Sequence, residues 1–256
     1  MNRPGRGARS FMAIAWTAQL ASTAFAASDA AVAQTGAGAS VADLVKDLRG
    51  PDWDRRVMAA AMLGSLGAAA KPALPALLDG LKDPEATVLY RTAATLTLGQ
   101  IGPEAKEAIP ALIELLRARD TRPGLDPSDT DLWHQARANA AYALGHIGPA
   151  DTAAVIPALL DAVRKERGKI RGLALSSLGS LGAGPDPETR AATPTILQTL
   201  EDWKEEAWVR VAAAELLGRI GPAAKSALPG LTRAAQETNA ELAKAAADSL
   251  KKIEGR

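Results

Sequence analysis

The chain has 256 residues, a formal net charge of +1 and no cysteine, and its 47% hydrophobic content includes only 4% aromatic residues. Without cysteine it cannot hold a disulfide scaffold, a cysteine-ligated metal site or a thiol nucleophile. A charge near zero gives no electrostatic basis for nucleic-acid binding, so nucleic acid is not an expected partner. Apolar content dominated by alanine and leucine favours helices over sheets.

Residues 1–33 have the three-part pattern of a secretory signal peptide. Three arginines and no acid precede an uncharged apolar stretch over 11–27, and small-residue cleavage patterns end at Ala26 and Ala33, of which Ala33 is favoured. A retained membrane anchor is disfavoured because the stretch is shorter than a bilayer-spanning helix. We expect a bacterial protein that is exported, periplasmic or secreted, with a flexible lead-in over 34–40 and no membrane insertion of the mature chain.

Two short strings alternate through residues 41–256. The first is LGxxG, and the second centres on a proline. The copies of LGxxG begin at Leu63, Leu98, Leu144, Leu178 and Leu217. The copies of the second string centre on Pro75, Pro110, Pro157, Pro194 and Pro229. The leucine spacings are 35, 46, 34 and 39 residues. The longest interval contains the segment 118–132, so we interpret that segment as an insertion in the third copy.

Each copy predicts a pair of helices. The proline suits the first turn of the first helix, where its missing N–H has no partner to lose, and the final glycine of LGxxG suits the end of the second. Along the second helix an arginine, an alanine and two Leu or Ile recur at spacings of 3, 4 and 3, which puts them on one face. One pair cannot bury that face alone, so about six pairs must stack into an all-α solenoid.

This pattern resembles HEAT repeats, specifically the short HEAT-like type of phycobilisome lyase subunits, over residues 40–253. The resemblance implies a right-handed α-solenoid in which the second helices line the concave side, and a role in protein–protein interaction. The sixth copy ends in a charged version of the motif, over 250–253, which suits a capping repeat.

Five repeated arginines lie on the buried stripe of the second helices, where we expect them to bond carbonyls and neighbouring acids rather than to bind an anion. They are Arg56, Arg91, Arg137, Arg171 and Arg210. Another face of these helices is predicted to line a groove that binds another protein or a peptide. Its candidate residues are Gln135, Asn139, Tyr142, His146, Leu96, Leu173 and Trp208.

Catalytic, metal and cofactor sites are not predicted. The two histidines, His134 and His146, lack the glutamate neighbours of a di-iron site, and no nucleophile or phosphate-loop motif is present. The acids Asp126, Asp129 and Asp131 lack the order of a calcium loop. We therefore expect a non-catalytic protein without a cofactor, and a lyase-like enzyme or accessory subunit is the alternative.

Four tryptophans lie near the predicted turns into the second helices, at Trp53, Trp133, Trp203 and Trp208. Tryptophan is enriched at binding hot spots, but a tryptophan in such a turn more often covers the end of a core. We expect the second role for these four.

Overall fold

The computed structural model describes residues 40–118, 127–147 and 151–255, and all regular structure within these ranges is helical. The α-helices are α1 Val41–Leu48, α2 Trp53–Ser65, α3 Leu74–Lys82, α4 Val88–Ile101, α5 Ile109–Arg117, α6 Pro127–His146, α7 Thr152–Lys165, α8 Gly168–Ser180, α9 Pro187–Ala191, α10 Thr193–Glu201, α11 Ala207–Ile220, α12 Leu228–Ala234 and α13 Ala240–Glu254. Short 3₁₀ segments, Gly67–Ala73, Gly102–Ala108 and Gly221–Ala227, precede α3, α5 and α12. The predicted all-α fold is confirmed.

The helices form six successive pairs that stack along one direction. We call α2, α4, α6, α8, α11 and α13 the inner helices and α1, α3, α5, α7, α10 and α12 the outer helices. Each inner helix packs extensively on the next inner helix, whereas successive outer helices touch only sparsely. The inner layer is therefore the more closely packed of the two.

Local sequence signals explain where the helices begin and end. Ser40 and Asp43 form a capping box at the start of α1, and Thr87 and Asn239 cap α4 and α13 with their side chains. The final glycine of the LGxxG motif has a positive φ, for example 73° at Gly102, a conformation that side-chain-bearing residues rarely adopt. The predicted helix ends are therefore confirmed where the structure describes them.

The prolines follow the prediction in four of five repeats. Each is the second residue of its outer helix, where no hydrogen bond is lost. Pro157 differs, because α7 already begins at Thr152 after the Asp151 side chain caps the backbone N–H of Ala154. The insertion also differs from a simple loop: its end is helical, since α6 begins at Pro127, and residues 119–126 lie outside the described ranges.

The inner interface depends on the first glycine of the LGxxG motif. A Cβ built on Gly145 would lie 2.4 Å from the Ser177 Oγ and 2.8 Å from the Ser177 Cα of the next inner helix. Ser177 in turn donates a hydrogen bond to the carbonyl of Ala141 at 2.8 Å. The motif leucines fill the space towards the outer helices and are fully buried, including Leu144 and Leu178. Glycine thus allows the close approach, and leucine supplies the core.

Candidate functional site

The surface of the inner helices that is turned away from the outer helices is the candidate site. Each inner helix contributes three residues to it: the residue two before the repeated arginine, the residue five after it and the residue nine after it. Around Arg137, for example, these are Gln135, Tyr142 and His146. None of these residues is buried in any of the six repeats. We call this surface the groove. Inner helices run parallel, so equivalent residues form rows across the repeats.

The centre of the groove carries a stacked pair of rings from α6. The Tyr142 and His146 rings are 3.8 Å apart between centroids and 28° from parallel. The His146 Nδ1 lies 3.0 Å from the carbonyl of Tyr142. Because a carbonyl can only accept, Nδ1 carries the proton in this contact, and Nε2 is then the acceptor of the neutral ring. Tyr142 is half-buried, and burial raises the pKa of its hydroxyl.

A second aromatic group lies two repeats further along, at the start of α11. Trp208 is 36% exposed, and its indole N–H donates to the Glu206 Oε2 at 2.9 Å. Its ring lies directly against α8, where a Cβ at Gly172 would be 2.2 Å from the ring. Glycine therefore makes room for the ring and helps to fix an aromatic surface that is still accessible from the groove.

A polar chain connects the third and fourth repeats along one side of the groove. The Lys169 ammonium donates to the Gln135 Oε1 at 2.6 Å, and the Gln135 Nε2 donates to the Asn139 Oδ1 at 2.6 Å. The prediction that Asn139 lines the groove is wrong. It is 6% exposed and donates its amide to the backbone carbonyl of Thr92 on the preceding inner helix at 3.1 Å.

The position of Asn139, two residues after the arginine, faces the preceding repeat rather than the groove. The equivalent Ala93 and Ala212 are also buried there. Only in the first repeat, for which the structure describes no preceding inner helix, is this position widely open: Met58 is 56% exposed. Leu96 occupies a groove position, five after its arginine, and is partly buried. Leu173 occupies the same position as Asn139, two after its arginine, and is also partly buried, so it is not one of the groove residues.

Four of the five repeated arginines bond backbone carbonyls at the end of the preceding outer helix or in the turn after it. The fifth, Arg171, has its Nε buried without a hydrogen-bond partner. The Arg56 Nε donates to the Gly50 carbonyl at 2.6 Å, and the Arg210 Nε donates to the Leu200 carbonyl at 2.7 Å. Arg91 donates to two turn carbonyls, and Arg137 to one. These bonds satisfy carbonyls at the ends of the outer helices.

The same arginines also reach the turn of the following repeat. Arg137, for example, forms a bidentate pair with Glu166, and Arg171 contacts the Glu205 Oε1 at 2.9 Å. Arg210 pairs with Glu237, and Arg56 with Asp83 at 3.7 Å. For Arg91 the corresponding turn contains residues 119–126, which are not described. Sequence reasoning did not identify these acids, although each lies one to four residues after the end of an outer helix.

The tryptophans divide between core and surface. Trp53 packs edge-on against Tyr90 at 5.2 Å and under the Arg56 guanidinium at 4.0 Å, as expected of a core cover. Burial there raises the pKa of Tyr90 to about 12, so its hydroxyl stays protonated. The expectation is wrong for Trp203, which is 79% exposed in the turn before α11 with Lys204 beside its ring.

The ranges that the structure describes contain no group of three or more His, Cys, Asp or Glu residues arranged to hold a metal ion. His134 and His146 lie on the same helix and are both exposed. Of the acids in the insertion, Asp126 lies outside the described ranges. No helix in these ranges is both long and apolar enough to cross a bilayer.

Comparisons with known proteins agree with this architecture. Residues 41–123 match the family model for HEAT repeats, and residues 136–165 match that for PBS lyase HEAT-like repeats. No curated protein matches the sequence significantly. A solved engineered protein is similar with a TM-score of 0.62 and 20% identity, over 85% of this chain and 98% of its own. The complex of CpcE and CpcF of phycocyanin lyase from Nostoc sp. PCC7120 is similar with a TM-score of 0.57 and 23% identity, over 86% of this chain and 79% of the matched chain. At such identities these likenesses show the fold alone.

Proposed function

We propose that this chain, a HEAT-like repeat protein, is an exported, non-catalytic scaffold or adaptor that binds another protein along its groove. The observation that carries the proposal is the set of aromatic rings held in fixed positions on the groove surface, the Tyr142–His146 stack and Trp208. Aromatic side chains that are held by their own helices supply contact area at a small loss of conformational freedom.

The groove is preformed by rigid elements rather than by loops. Trp208 is held by Gly172 and Glu206, and Gln135 is held by Lys169. Binding to such a surface requires little ordering of the protein, so affinity can arise from many modest contacts. The CpcE and CpcF structure is itself a complex of two proteins, which supports a protein partner for a chain of this fold.

Export is proposed from the signal-peptide pattern of residues 1–33, which lie outside the described ranges. Mass spectrometry of the protein purified from a cell envelope tests this part. A mature N-terminus at Gln34 is expected, and a chain that retains its first residues in the cytoplasm would contradict it.

A lyase-related role is the second candidate. It is favoured by the match of residues 136–165 to PBS lyase HEAT-like repeats, a segment that includes Tyr142 and His146. In this case the same groove would hold a protein substrate or a partner subunit. A coloured small molecule retained by the purified protein would favour this candidate over the scaffold.

The binding proposal is tested by affinity capture from cell-envelope extract. The wild type is compared with Tyr142→Ala/His146→Ala and with Lys106→Ala/Glu107→Ala, a control pair that is exposed before an outer helix. We expect a specific protein that is captured by the wild type and the control but lost from the groove variant, with equal helical content in all three by circular dichroism. Capture of the same protein by all three would move the interface away from the groove.

A further inference from the structure

Successive inner helices meet through one recurring pair of faces. Counted from the arginine position, the residues one and eight after it form a forward face, and the residues two and six after it form a backward face. These faces meet, for example, where Asn139 donates to the Thr92 carbonyl and where a Cβ on Gly145 would lie 2.8 Å from the Ser177 Cα. The motif glycine makes the same contact with the residue six after in three further repeats, at Gly64, Gly99 and Gly218.

The backward face of the first inner helix, α2, is open. Its two residues are Met58 and Met62. In every later repeat the residue six after is at most 3% exposed, because the preceding inner helix covers it. The ranges that the structure describes contain no inner helix before α2, and there Met58 is 56% exposed and Met62 is only partly buried. Two apolar side chains at positions of core contact therefore lie at this end of the solenoid.

The opposite end of the solenoid is closed against a further helix. In the first five repeats the forward face combines the motif glycine with Val, Thr, Ala or Gly, so a neighbouring helix can come close. In the sixth repeat both forward positions are lysine, Lys244 and Lys251, and both are exposed. Charged side chains at these two points suit a capping repeat. A second copy of this chain therefore does not offer a stacking face to the open methionines.

Charged groups surround the two methionines. Asp52 is exposed and accepts hydrogen bonds from the backbone N–H groups of Asp54 and Arg55. It lies four residues after α1, just as Glu205 lies four residues after α10 and receives Arg171 from the repeat before it. The described ranges contain no repeat that could supply such an arginine to Asp52. An apolar centre with charged groups at its rim is the usual arrangement of a protein–protein interface.

We propose that this end face, formed by Met58 and Met62 with Asp52 and Arg55 at its rim, docks an α-helix of another protein. The helix takes the place of a preceding inner helix and carries the forward face: two small residues seven positions apart, with an arginine directly before the first. Flexible methionine side chains can pack around such small residues. The end face is separate from the groove, so this inference stands independently of the proposed function.

The probe is a helical hairpin, because a single short helix is marginally stable in water. Its second helix carries arginine, alanine and glycine at the arginine position and at the two forward positions. In the control hairpin the alanine and the glycine are both replaced by lysine, as in the sixth repeat. Circular dichroism verifies that both hairpins are helical.

Thiol labelling shows where the probe binds. The chain has no cysteine, so Met58→Cys places a single thiol on the end face and Ser180→Cys places one in the groove. Both variants are purified after expression of the full-length chain and are treated with a maleimide. We expect rapid labelling of both. A probe at roughly ten times its dissociation constant should slow the labelling of Met58→Cys about tenfold and leave Ser180→Cys unchanged.

Fluorescence anisotropy of labelled hairpins measures the affinity. Met58→Glu should weaken binding of the probe by more than roughly tenfold, because it puts a carboxylate in the apolar contact. Asp52→Asn keeps the cap of α2 and should weaken binding roughly fivefold, but only for hairpins that carry the arginine. Lys106→Ala/Glu107→Ala should have no effect. Circular dichroism verifies that all variants are folded.

Four results would overturn the inference. Slow labelling of Met58→Cys without a hairpin would mean that another part of the chain covers the end face. Labelling that slows as the protein concentration rises would assign the face to a second copy. Equal affinity for the probe and the lysine-bearing control would mean that the face does not recognise the small residues. Absent binding, or binding that survives Met58→Glu, would remove the end face as the site. Affinity capture through the groove decides the proposed function separately.

Discussion

Replacing the first glycine of the LGxxG motif by alanine should have opposite effects in two repeats. Gly145 and Gly179 occupy the same position, one residue before the end of α6 and of α8. A Cβ at Gly145 would meet the Ser177 Cβ at 2.6 Å and its Cα at 2.8 Å, whereas the nearest atom to a Cβ at Gly179 is the Arg219 Nε at 3.4 Å. The first contact is with backbone, and the second is with a long flexible side chain.

The magnitudes follow from these contacts. In a helix, alanine is favoured over glycine by up to ~1 kcal/mol, so Gly179→Ala should leave stability unchanged or raise it by up to that amount. Gly145→Ala forces two helices apart, at ~1–3 kcal/mol for overpacking, and disturbs the Ser177 bond to Ala141, worth ~1 kcal/mol. We expect a net loss of roughly 1–3 kcal/mol.

Urea unfolding followed by far-UV circular dichroism measures both variants against the wild type. The midpoint should fall for Gly145→Ala and stay or rise for Gly179→Ala, with similar slopes. Ser177→Gly in the Gly145→Ala background should recover part of the loss, because it removes the atom that clashes at 2.6 Å. Equal shifts in the same direction would refute the close-approach role of the glycine.

Three further predictions concern the core, the ion pairs and acid stability. Leu144→Ala should lower the unfolding free energy by ~2–5 kcal/mol and the exposed His146→Ala by less than ~0.5 kcal/mol; equal losses would contradict the assignment of the inner-helix faces. Arg171→Met leaves the buried Glu205 carboxylate with the Gly168 N–H at 2.9 Å and the more exposed Arg167 at 3.5 Å as its partners, so the loss of one charged hydrogen bond should cost ~1.5–3 kcal/mol. A double-mutant cycle with Glu205→Met in the same urea titration should show coupling between the two residues, and additive losses would argue against a coupled pair. The hydrogen bond from Arg210 lowers the pKa of Glu237 from its ordinary 4.5, so the pair stabilises the fold above that pH and this stabilisation is lost as pH falls through the lowered value. Glu237→Gln should flatten this acid limb of stability against pH, and an unchanged limb would be inconsistent with the pair.

The sequence predicts the repeat architecture well because its signals are local and repeated. Three signals specify a face or an end of a helix without reference to the rest of the chain. They are the leucines at spacings of three and four, the prolines at the start of the outer helices and the glycines at the end of the inner helices. Where the signals are singular, the prediction weakens. Pro157 lies inside α7 because Asp151 starts that helix earlier, and helix α6 includes part of the insertion.

The groove is harder to predict, because adjacent faces of a helix differ by a few tens of degrees. Asn139 and Tyr142 are three residues apart on α6, yet one faces the preceding helix and the other the groove. Which face is covered depends on how closely the neighbouring helix approaches, and this distance is set by glycines in other repeats. The exposure of Trp203 likewise depends on the path of a turn that no periodic pattern describes.

The arginine–acid pairs make the middle repeats interchangeable units. The fourth repeat carries Glu166, which receives Arg137 from the repeat before it, and Arg171, which reaches Glu205 in the repeat after it. A duplicated copy of such a unit would bring one donor and one acceptor and leave no charge without a partner. The series stops in the sixth repeat, where Ala243 stands at the position of the arginine. A unit of this kind can therefore be added or removed among the middle repeats without leaving an arginine or an acid unpaired, whereas the sixth repeat offers no arginine to a neighbour.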